Sequence, residues 1–261
     1  MKEEKAKNMI TKDDNVMVLD TIKTEKMKKT IQKTKKKEKT AKAEKNIENI
    51  SLRQDNDNSE EQGNSGDDLL LLDDPKRRKE YLDCMKDLLT QIEDFGFQQE
   101  EVLGRNIISH TKYRLKTRDS ILAKMERKNR ELTEENVFTY INDLAGIRVI
   151  CLFLDDIYRV RDFIYQIPGI TIVKEKDFVK KPKNSGYQSL HMIVQFTNGK
   201  KVEIQLRTIG MDFWSVLEYQ LQYKKQRKKG KALKKELFSC AIDVRNMDQR
   251  MLDLRQSIEN V

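Results

Sequence analysis

The chain has 261 residues, enough for one domain with extensions or for two small domains, and 36% of them are charged. Residues 1–74 hold 16 Lys or Arg and 17 Asp or Glu, a balance of −1, so residues 75–261 carry +10 of the total net charge of +9. This basic region indicates anionic partners such as nucleotides, RNA or acidic lipid. Three widely spaced cysteines exclude a disulfide framework or zinc cluster, and the lack of a long apolar run argues against a membrane span or signal segment, so we expect a cytoplasmic protein.

The first 74 residues are predicted to be a disordered, charged N-terminal extension. Residues 21–45 contain 11 Lys and 3 Glu, whereas residues 46–74 contain one Arg and 9 acidic residues. Such blocks bury too little apolar surface to offset the entropy lost on ordering. The basic block suggests a possible RNA contact, and the alternative is a solvated or partly helical tail without a specific partner.

Beyond Pro75 the pattern becomes that of a folded domain, which we place at residues 75–230. The first element is a predicted helix whose apolar residues recur at helical spacing, and Gly96 is expected to end it. These apolar residues are Tyr81, Leu82, Met85, Leu88, Leu89, Ile92 and Phe95.

Residues 107–116 alternate in polarity and predict a strand, with Thr117 as the N-cap of a following helix. Basic side chains share one face of this strand: His110, Lys112, Arg114 and Lys116. One face of the helix carries Ser120, Lys124 and Arg127. Together the two elements predict a positive wall able to grip a triphosphate, and the alternative is a solvated cationic face.

The apolar run from Val149 to Leu154 predicts a strand buried on both sides, and Asp143 lies just ahead of it. A helix at 155–166 and a strand at about 170–174 follow. Strands at 189–196 and 201–207 are joined by Asn198-Gly199, a strong hairpin signal.

The last of these strands should direct polar side chains to one face of the sheet. Val202, Ile204 and Leu206 are expected in the core, which leaves Glu203, Gln205 and Arg207 on the opposite face, together with His191. Asp143 and Glu203 are the candidate metal ligands, because Mg²⁺ in phosphoryl-transfer sites is held by one or two carboxylates plus phosphates. The alternative is that each carboxylate pairs with a neighbouring arginine.

Residues 182–191 form a basic, glycine-containing segment with one aromatic ring, that of Tyr187. Because Lys183, Asn184 and Gly186 surround it, we expect an exposed loop whose ring stacks on a nucleotide base. The alternative is an ordinary core or hairpin aromatic.

Residues 231–261 are predicted to form a C-terminal helix used in oligomerisation. Apolar residues recur every seven positions, with a second set between them: Leu237, Val244, Met251 and Ile258, and Cys240, Met247 and Leu254. The alternative is a helix that packs on residues 78–95 of its own chain.

Four stretches, residues 113–127, 141–148, 176–191 and 202–224, resemble the small alarmone synthetases, stand-alone relatives of the RelA/SpoT synthetase domain. The resemblance spans roughly residues 78–261. It implies an α+β fold with a mixed β-sheet flanked by helices, related to nucleotidyltransferases. It also implies Mg²⁺-dependent transfer of pyrophosphate from ATP to the 3′-hydroxyl of GTP or GDP, giving pppGpp or ppGpp and AMP, and a homotetramer.

The resemblance also implies roles for individual residues. ATP would be bound by Arg114, Lys116, Ser120, Lys124, Arg127 and Arg148, with the two arginines at 114 and 148 enclosing the adenine. GTP or GDP would be bound by Lys176, Lys183, Asn184, Tyr187, His191 and Gln205, with Tyr187 stacked on guanine. Asp143 and Glu203 would hold Mg²⁺, and Glu203 would draw the proton from the attacking hydroxyl.

Two alternatives remain open from the sequence. One is a toxin-like relative that pyrophosphorylates the 3′ end of tRNA, and the other is a non-catalytic nucleotide- or RNA-binding regulator. Long relatives also carry a hydrolase domain built on paired His and Asp, whereas this chain has 2 histidines, His110 and His191. We therefore expect synthesis without hydrolysis.

Overall fold

The computed structural model describes residues 74–223 and 230–260. The predicted disordered extension and its RNA contact lie outside the described residues. Among the residues described, no helix is long and apolar enough to cross a membrane.

The described elements alternate between helices and strands, and the helices are numbered here in chain order. They are α1 (Pro75–Leu103), β1 (Ile108–Leu115), α2 (Arg118–Arg127), α3 (Glu134–Tyr140), β2 (Ala145–Cys151), α4 (Leu154–Ile164), β3 (Ile170–Asp177), β4 (Leu190–Phe196), β5 (Lys201–Thr208), α5 (Ile209–Tyr223) and α6 (Gly230–Glu259). The predicted elements are therefore present, with β3 three residues longer than expected and α4 two residues shorter at its C-terminal end. The strand expected at 149–154 begins four residues earlier and ends at Cys151, and the helices α3 and α5 were not predicted.

The five strands form one sheet in the order β1-β2-β5-β4-β3. Only β2 and β5 are parallel, and the other neighbouring pairs are antiparallel. The predicted mixed sheet flanked by helices is confirmed. Because side chains alternate between faces along each strand, every strand contributes to two surfaces, a core face and a polar face.

Helices α1 and α4 cover the core face of the sheet. Ile147, Ile204 and Leu206 point toward them and are at most 1% exposed, as the alternation in β2 and β5 predicts. The rings of Phe95 in α1 and Phe163 in α4 stack in parallel with centroids 4.3 Å apart. This apolar layer fixes the strands and leaves the opposite face free to carry polar groups.

Gly96 does not end the first helix, and that prediction was wrong. Helix α1 continues to Leu103 and ends at Gly104, whose φ of 67° is the left-handed conformation that favours glycine at a helix C-terminus. Gly96 instead lies where α1 meets β1, because a Cβ there would come within 3.1 Å of Cδ1 of Ile108. A glycine inside the helical pattern marks close packing here rather than a stop.

Helix α6 packs on α5 and α4, not on residues 78–95 as the alternative reading of this helix held. The Trp214 indole donates a hydrogen bond to the backbone oxygen of Leu237 at 2.9 Å, and Ala241 packs in the same buried cluster. The predicted heptad seam is therefore divided. Leu237 is buried within the chain, whereas Met251 is 47% exposed and Ile258 is 75% exposed.

Candidate functional site

A row of polar side chains crosses the polar face of the sheet through all five strands. The strand register aligns these residues as Lys112, Arg148, Gln205, His191 and Lys176. Four of these are predicted site residues that come from three separate stretches of sequence and lie as much as 57 positions apart, and the fold brings them to one line. The sequence could indicate the face of each strand, but only the pairing register shows that the residues are neighbours.

The next row along the strands places Arg114 opposite Gly146, and Gly146 opposite Glu203. A Cβ at Gly146 would lie 3.9 Å from both Cγ of Arg114 and the backbone oxygen of Glu203. Glycine therefore leaves a gap in the middle of the face, between a cation on β1 and a carboxylate on β5.

Asp143 lies two residues before β2 and is held by two of the three lysines of the predicted triphosphate wall. Nζ of Lys124 donates to Oδ1 at 2.6 Å, and Nζ of Lys116 donates to Oδ2 at 3.0 Å. Burial raises the pKa of Asp143, but these two ammonium groups outweigh it and hold the pKa below its usual range. Asp143 is therefore an ionised carboxylate, and its partners are lysines rather than the arginine considered in the alternative.

Glu203 is held by two side chains of the same face. Nδ1 of His191 lies 3.1 Å from Oε1, and Nε2 of Gln205 donates to Oε2 at 2.7 Å. Burial raises the pKa of Glu203 and so does the nearby charge of Asp143, yet the contacts from His191 and Gln205 keep the pKa below its usual value. The charge of Asp143 is therefore near enough to Glu203 to affect its ionisation.

Tyr187 is half-buried, so the expectation of an exposed ring was wrong. Its hydroxyl lies 2.7 Å from Nε2 of His191 and accepts from Nη2 of Arg207 at 2.7 Å. Phe178 packs edge-on to the ring, and Nζ of Lys183 lies over it, 4.5 Å from the centroid. The local basic composition predicted solvent exposure, but contacts from distant strands cover part of the ring.

The loop that carries Tyr187 is shaped by Gly186, which adopts a φ of 90°. A Cβ at this position would come within 2.5 Å of Cβ of Ala241 in α6, so both the conformation and the space require glycine. The C-terminal helix therefore supports the loop from behind.

Two buried polar groups contact the predicted residues: Arg207, which the sequence placed on this face without assigning it a role, and Asp212, which was missed. Arg207 is 4% exposed and Asp212 is 6% exposed. Oδ1 of Asp212 accepts from Nη1 of Arg148 at 2.9 Å and from Nη1 of Arg207 at 3.2 Å. The available signal was an acidic residue in the otherwise apolar first turn of α5, directly after a strand of the site.

The predicted residues thus divide into two groups joined at the centre of the face. The cationic cluster comprises Arg114, Lys116, Ser120, Lys124, Arg127 and Arg148, of which the side chains at 114, 120 and 127 are exposed. The hydrogen-bonded ring comprises Arg207, Tyr187, His191, Glu203 and Gln205. Lys176, Lys183 and Asn184 are exposed beside the ring.

The donor set near the centre of the face suits a hard divalent cation. Within the described part of the chain there is no group of three or more His, Cys, Asp or Glu side chains that could enclose a metal. Two ionised carboxylates, Asp143 and Glu203, match the way in which Mg²⁺ is bound through one or two carboxylates, waters and substrate phosphates. The residues present therefore fit Mg²⁺ that arrives with a nucleotide.

Comparison with known proteins places the chain in a family. Residues 113–228 match the region found in RelA and SpoT proteins. The chain is 40% identical over 163 residues to the GTP pyrophosphokinase YwaC of Bacillus subtilis, covering 60% of this chain and 78% of the relative. It is 33% identical over 153 residues to the GTP pyrophosphokinase YjbM of the same organism, covering 56% of this chain and 71% of the relative.

Solved structures agree with this relationship. The small alarmone synthetase 2 of Bacillus subtilis is 37% identical with a TM-score of 0.59, over 68% of this chain and 96% of that one. The small alarmone synthetase 1 of Bacillus subtilis bound to its product pppGpp is 29% identical with a TM-score of 0.61, over 68% and 94%. The chain therefore belongs to the RelA/SpoT family, among its small alarmone synthetases.

Proposed function

We propose that this chain transfers pyrophosphate from ATP to the 3′-hydroxyl of GTP or GDP in the cytoplasm, giving pppGpp or ppGpp and AMP. The observation that carries the proposal is that Asp143, held by Lys116 and Lys124 of the cationic cluster, is near enough to Glu203 of the hydrogen-bonded ring for its charge to raise the pKa of Glu203. The relatives that are GTP pyrophosphokinases, and the relative bound to pppGpp, support the same reaction.

The cationic cluster is the proposed ATP site. Burial and the charge of Arg207 lower the pKa of Arg148, and the charge of Arg114 lowers it further, so the guanidinium groups of Arg114 and Arg148 are near each other, as two groups that enclose an adenine would be. Lys116, Ser120, Lys124 and Arg127 then face the triphosphate. Because both lysines also contact Asp143, phosphate oxygens can replace or share that carboxylate as their partner.

The hydrogen-bonded ring and its basic loop are the proposed acceptor site. Guanine would stack on the aromatic ring of Tyr187. The Lys183 ammonium group, which now lies over that aromatic ring, would have to move aside and turn toward the phosphates of the acceptor. Lys176 and Asn184 are exposed nearby for the same ligand, and His191 and Gln205 border its ribose.

The chemistry assigned to the protein is positioning and proton removal. Mg²⁺ held by Asp143 and Glu203 would supply charge neutralisation at the phosphates. Glu203 accepts the proton of the 3′-hydroxyl as that oxygen attacks the β-phosphorus of ATP and AMP departs. The low pKa of Glu203 keeps this base in its ionised form, and the contacts from His191 and Gln205 aim its carboxylate.

The test is product analysis with ATP labelled in the β- and γ-phosphates, Mg²⁺ and, in separate reactions, GTP, GDP or tRNA. We expect labelled pppGpp or ppGpp together with unlabelled AMP. Label that appears only on tRNA would identify a tRNA-modifying relative, and no transfer to any acceptor would leave a nucleotide-binding regulator. Purified ppGpp added back to the protein should remain intact, because hydrolysis would contradict a synthetase without hydrolase activity.

We further propose that copies of the chain associate through α5 and α6, as a homotetramer. Apolar side chains of both helices are exposed: Phe213, Val216, Leu217, Phe238, Ile242, Met247, Met251, Leu254 and Ile258. A surface of this kind marks a protein contact, and a second copy offers the matching heptad pattern. Light scattering should give four copies for the native chain and fewer for Leu254→Glu, whereas a native monomer would refute the assembly.

A further inference from the structure

Asp212 is a buried carboxylate that joins three cations of the polar face. Its Oδ1 accepts from Arg148 and Arg207, and its Oδ2 accepts from Nζ of Lys112 at 3.3 Å. A buried acid is unfavourable unless it is paired, and here the pairing is threefold. Burial raises the pKa of Asp212, but Arg148, Lys112 and Arg207 bring it below its usual range, so the group is ionised.

The two arginines depend on this carboxylate for their placement. Nε of Arg148 and Nε of Arg207 are buried and make no hydrogen bond within the part of the chain that the structure describes. The two guanidinium groups are therefore held through their Nη atoms, and Nη1 of each donates a hydrogen bond to Asp212. Nη2 of Arg207 is thereby directed to the Tyr187 hydroxyl and to Oε1 of Gln205, at 2.7 and 2.9 Å.

The direction of each hydrogen bond follows from Arg207, because a guanidinium can only donate. Gln205 accepts from Arg207 with its oxygen and so turns its amide N–H toward Glu203. The Tyr187 hydroxyl accepts from Arg207 and can give its own proton to Nε2 of His191, which leaves the His191 proton on Nδ1, facing Glu203. Both branches of the ring thus present donors to the proposed base.

We propose that Asp212 is a positioning residue that sets both nucleotide sites at once. Through Arg148 it fixes one side of the adenine site, and through Arg207 it fixes Tyr187 and the donors that aim Glu203. Asp212 reaches no substrate itself, and its effect passes entirely through the two arginines. The proposal rests on the site assignments made above for Arg148 and Tyr187.

The test is Asp212→Asn, which keeps the size of the side chain and removes its charge. Losing a charged hydrogen-bond partner should raise the KM for ATP and the KM for GDP by about tenfold each. Asp248→Asn is the matched control, because Asp248 is a half-buried carboxylate that accepts from Thr208 at 2.6 Å and lies outside the ring. We expect this control to leave both KM values within about twofold.

A double-mutant cycle with Tyr187→Phe separates a positioning role from a general loss of structure. Without the Tyr187 hydroxyl, Asp212→Asn should raise the KM for GDP less than it does in the native background, while its effect on the KM for ATP stays the same. An equal rise in the KM for GDP in both backgrounds, or a change in only one of the two KM values when Asp212→Asn is made in the native background, would overturn the proposal. If Asp212→Asn fails to fold, Asp212→Glu is measured in the same cycle.

The single variants Arg148→Met and Tyr187→Ala show which premise fails. If neither changes the KM expected for its own nucleotide, the site assignments are wrong. If both do and Asp212→Asn does not, only the role of Asp212 is refuted.

Discussion

The cationic cluster and the hydrogen-bonded ring occupy the same sheet face but are organised in opposite ways. In the cluster, two lysines share the single carboxylate of Asp143, and Arg114 and Arg127 extend into solvent. In the ring, every member contacts two others, and the whole is tied to Asp212. The cationic cluster has an excess of positive charge that a phosphate can neutralise, whereas the polar groups of the hydrogen-bonded ring already have hydrogen-bond partners within the protein.

This difference indicates how the two halves contribute to the reaction. Excess cations bind a polyanion strongly but specify its orientation weakly, because lysine is a flexible point charge. A closed network is set before substrate arrives and therefore orients the base without further reorganisation. We expect substitutions in the hydrogen-bonded ring to lower kcat or the affinity for the acceptor nucleotide sharply. Substitutions in the cationic cluster should mainly weaken the binding of ATP.

The largest effect is expected for Glu203→Gln. Loss of the base should lower kcat roughly a thousandfold, within the usual range for general-base catalysis. The new amide also places an N–H against a donor from His191 or Gln205, which disturbs the aim of the network. Isothermal titration with AMPCPP and with GDP should show binding within a few-fold of native, and full turnover in this variant would remove Glu203 from the mechanism.

Removal of the aromatic ring at position 187 should have an intermediate effect. Stacking on a base contributes about 1–3 kcal/mol, so Tyr187→Ala should raise the KM for GDP roughly tenfold or more and leave the KM for ATP nearly unchanged. Tyr187→Phe keeps the ring and loses only the contacts to Arg207 and His191, so its effect should be smaller. Equal effects of the two variants would mean that stacking contributes nothing.

The smallest predicted effect concerns pH. The Lys183 side chain is exposed overall, but its ammonium group lies over the rings of Phe178 and Tyr187, and this partial desolvation lowers its pKa. The charge of Lys176 lowers the pKa of Lys183 further. Its positive charge is therefore fully present below the lowered pKa and lost as the pH rises through it, earlier than for an ordinary lysine. The KM for GDP should rise a few-fold toward alkaline pH, and Lys183→Arg should abolish this rise because a guanidinium does not titrate there. An unchanged alkaline limb in Lys183→Arg would contradict the role of Lys183.

Much of the fold could be predicted because local patterns dominate it. Alternation placed Val202, Ile204 and Leu206 in the core, Asn198-Gly199 marked the hairpin, and Thr117 caps α2 through a hydrogen bond from the Ser120 amide. The prediction for Gly96 was wrong because glycine is needed there for close packing against Ile108. Ile108 lies outside the helix, and no local sequence pattern reveals its position.

The site was predicted less completely, for a related physical reason. The cationic cluster comes from neighbouring segments, and its charges are visible in the sequence. Asp212 gains its importance from Lys112, Arg148 and Arg207, which lie on three strands and converge only through the register of the sheet. The half-buried state of Tyr187 likewise depends on side chains that are distant along the chain.

The central claim is that Asp143 and Glu203 hold one divalent ion between the two nucleotides, and Mn²⁺ binding followed by electron paramagnetic resonance tests it most directly. In the presence of AMPCPP and GDP, the native chain should bind one ion per subunit. Asp143→Asn and Glu203→Gln should each weaken that binding by about tenfold or more, with Asp248→Asn as an unaffected control. Native affinity for Mn²⁺ in both carboxylate variants would contradict the account.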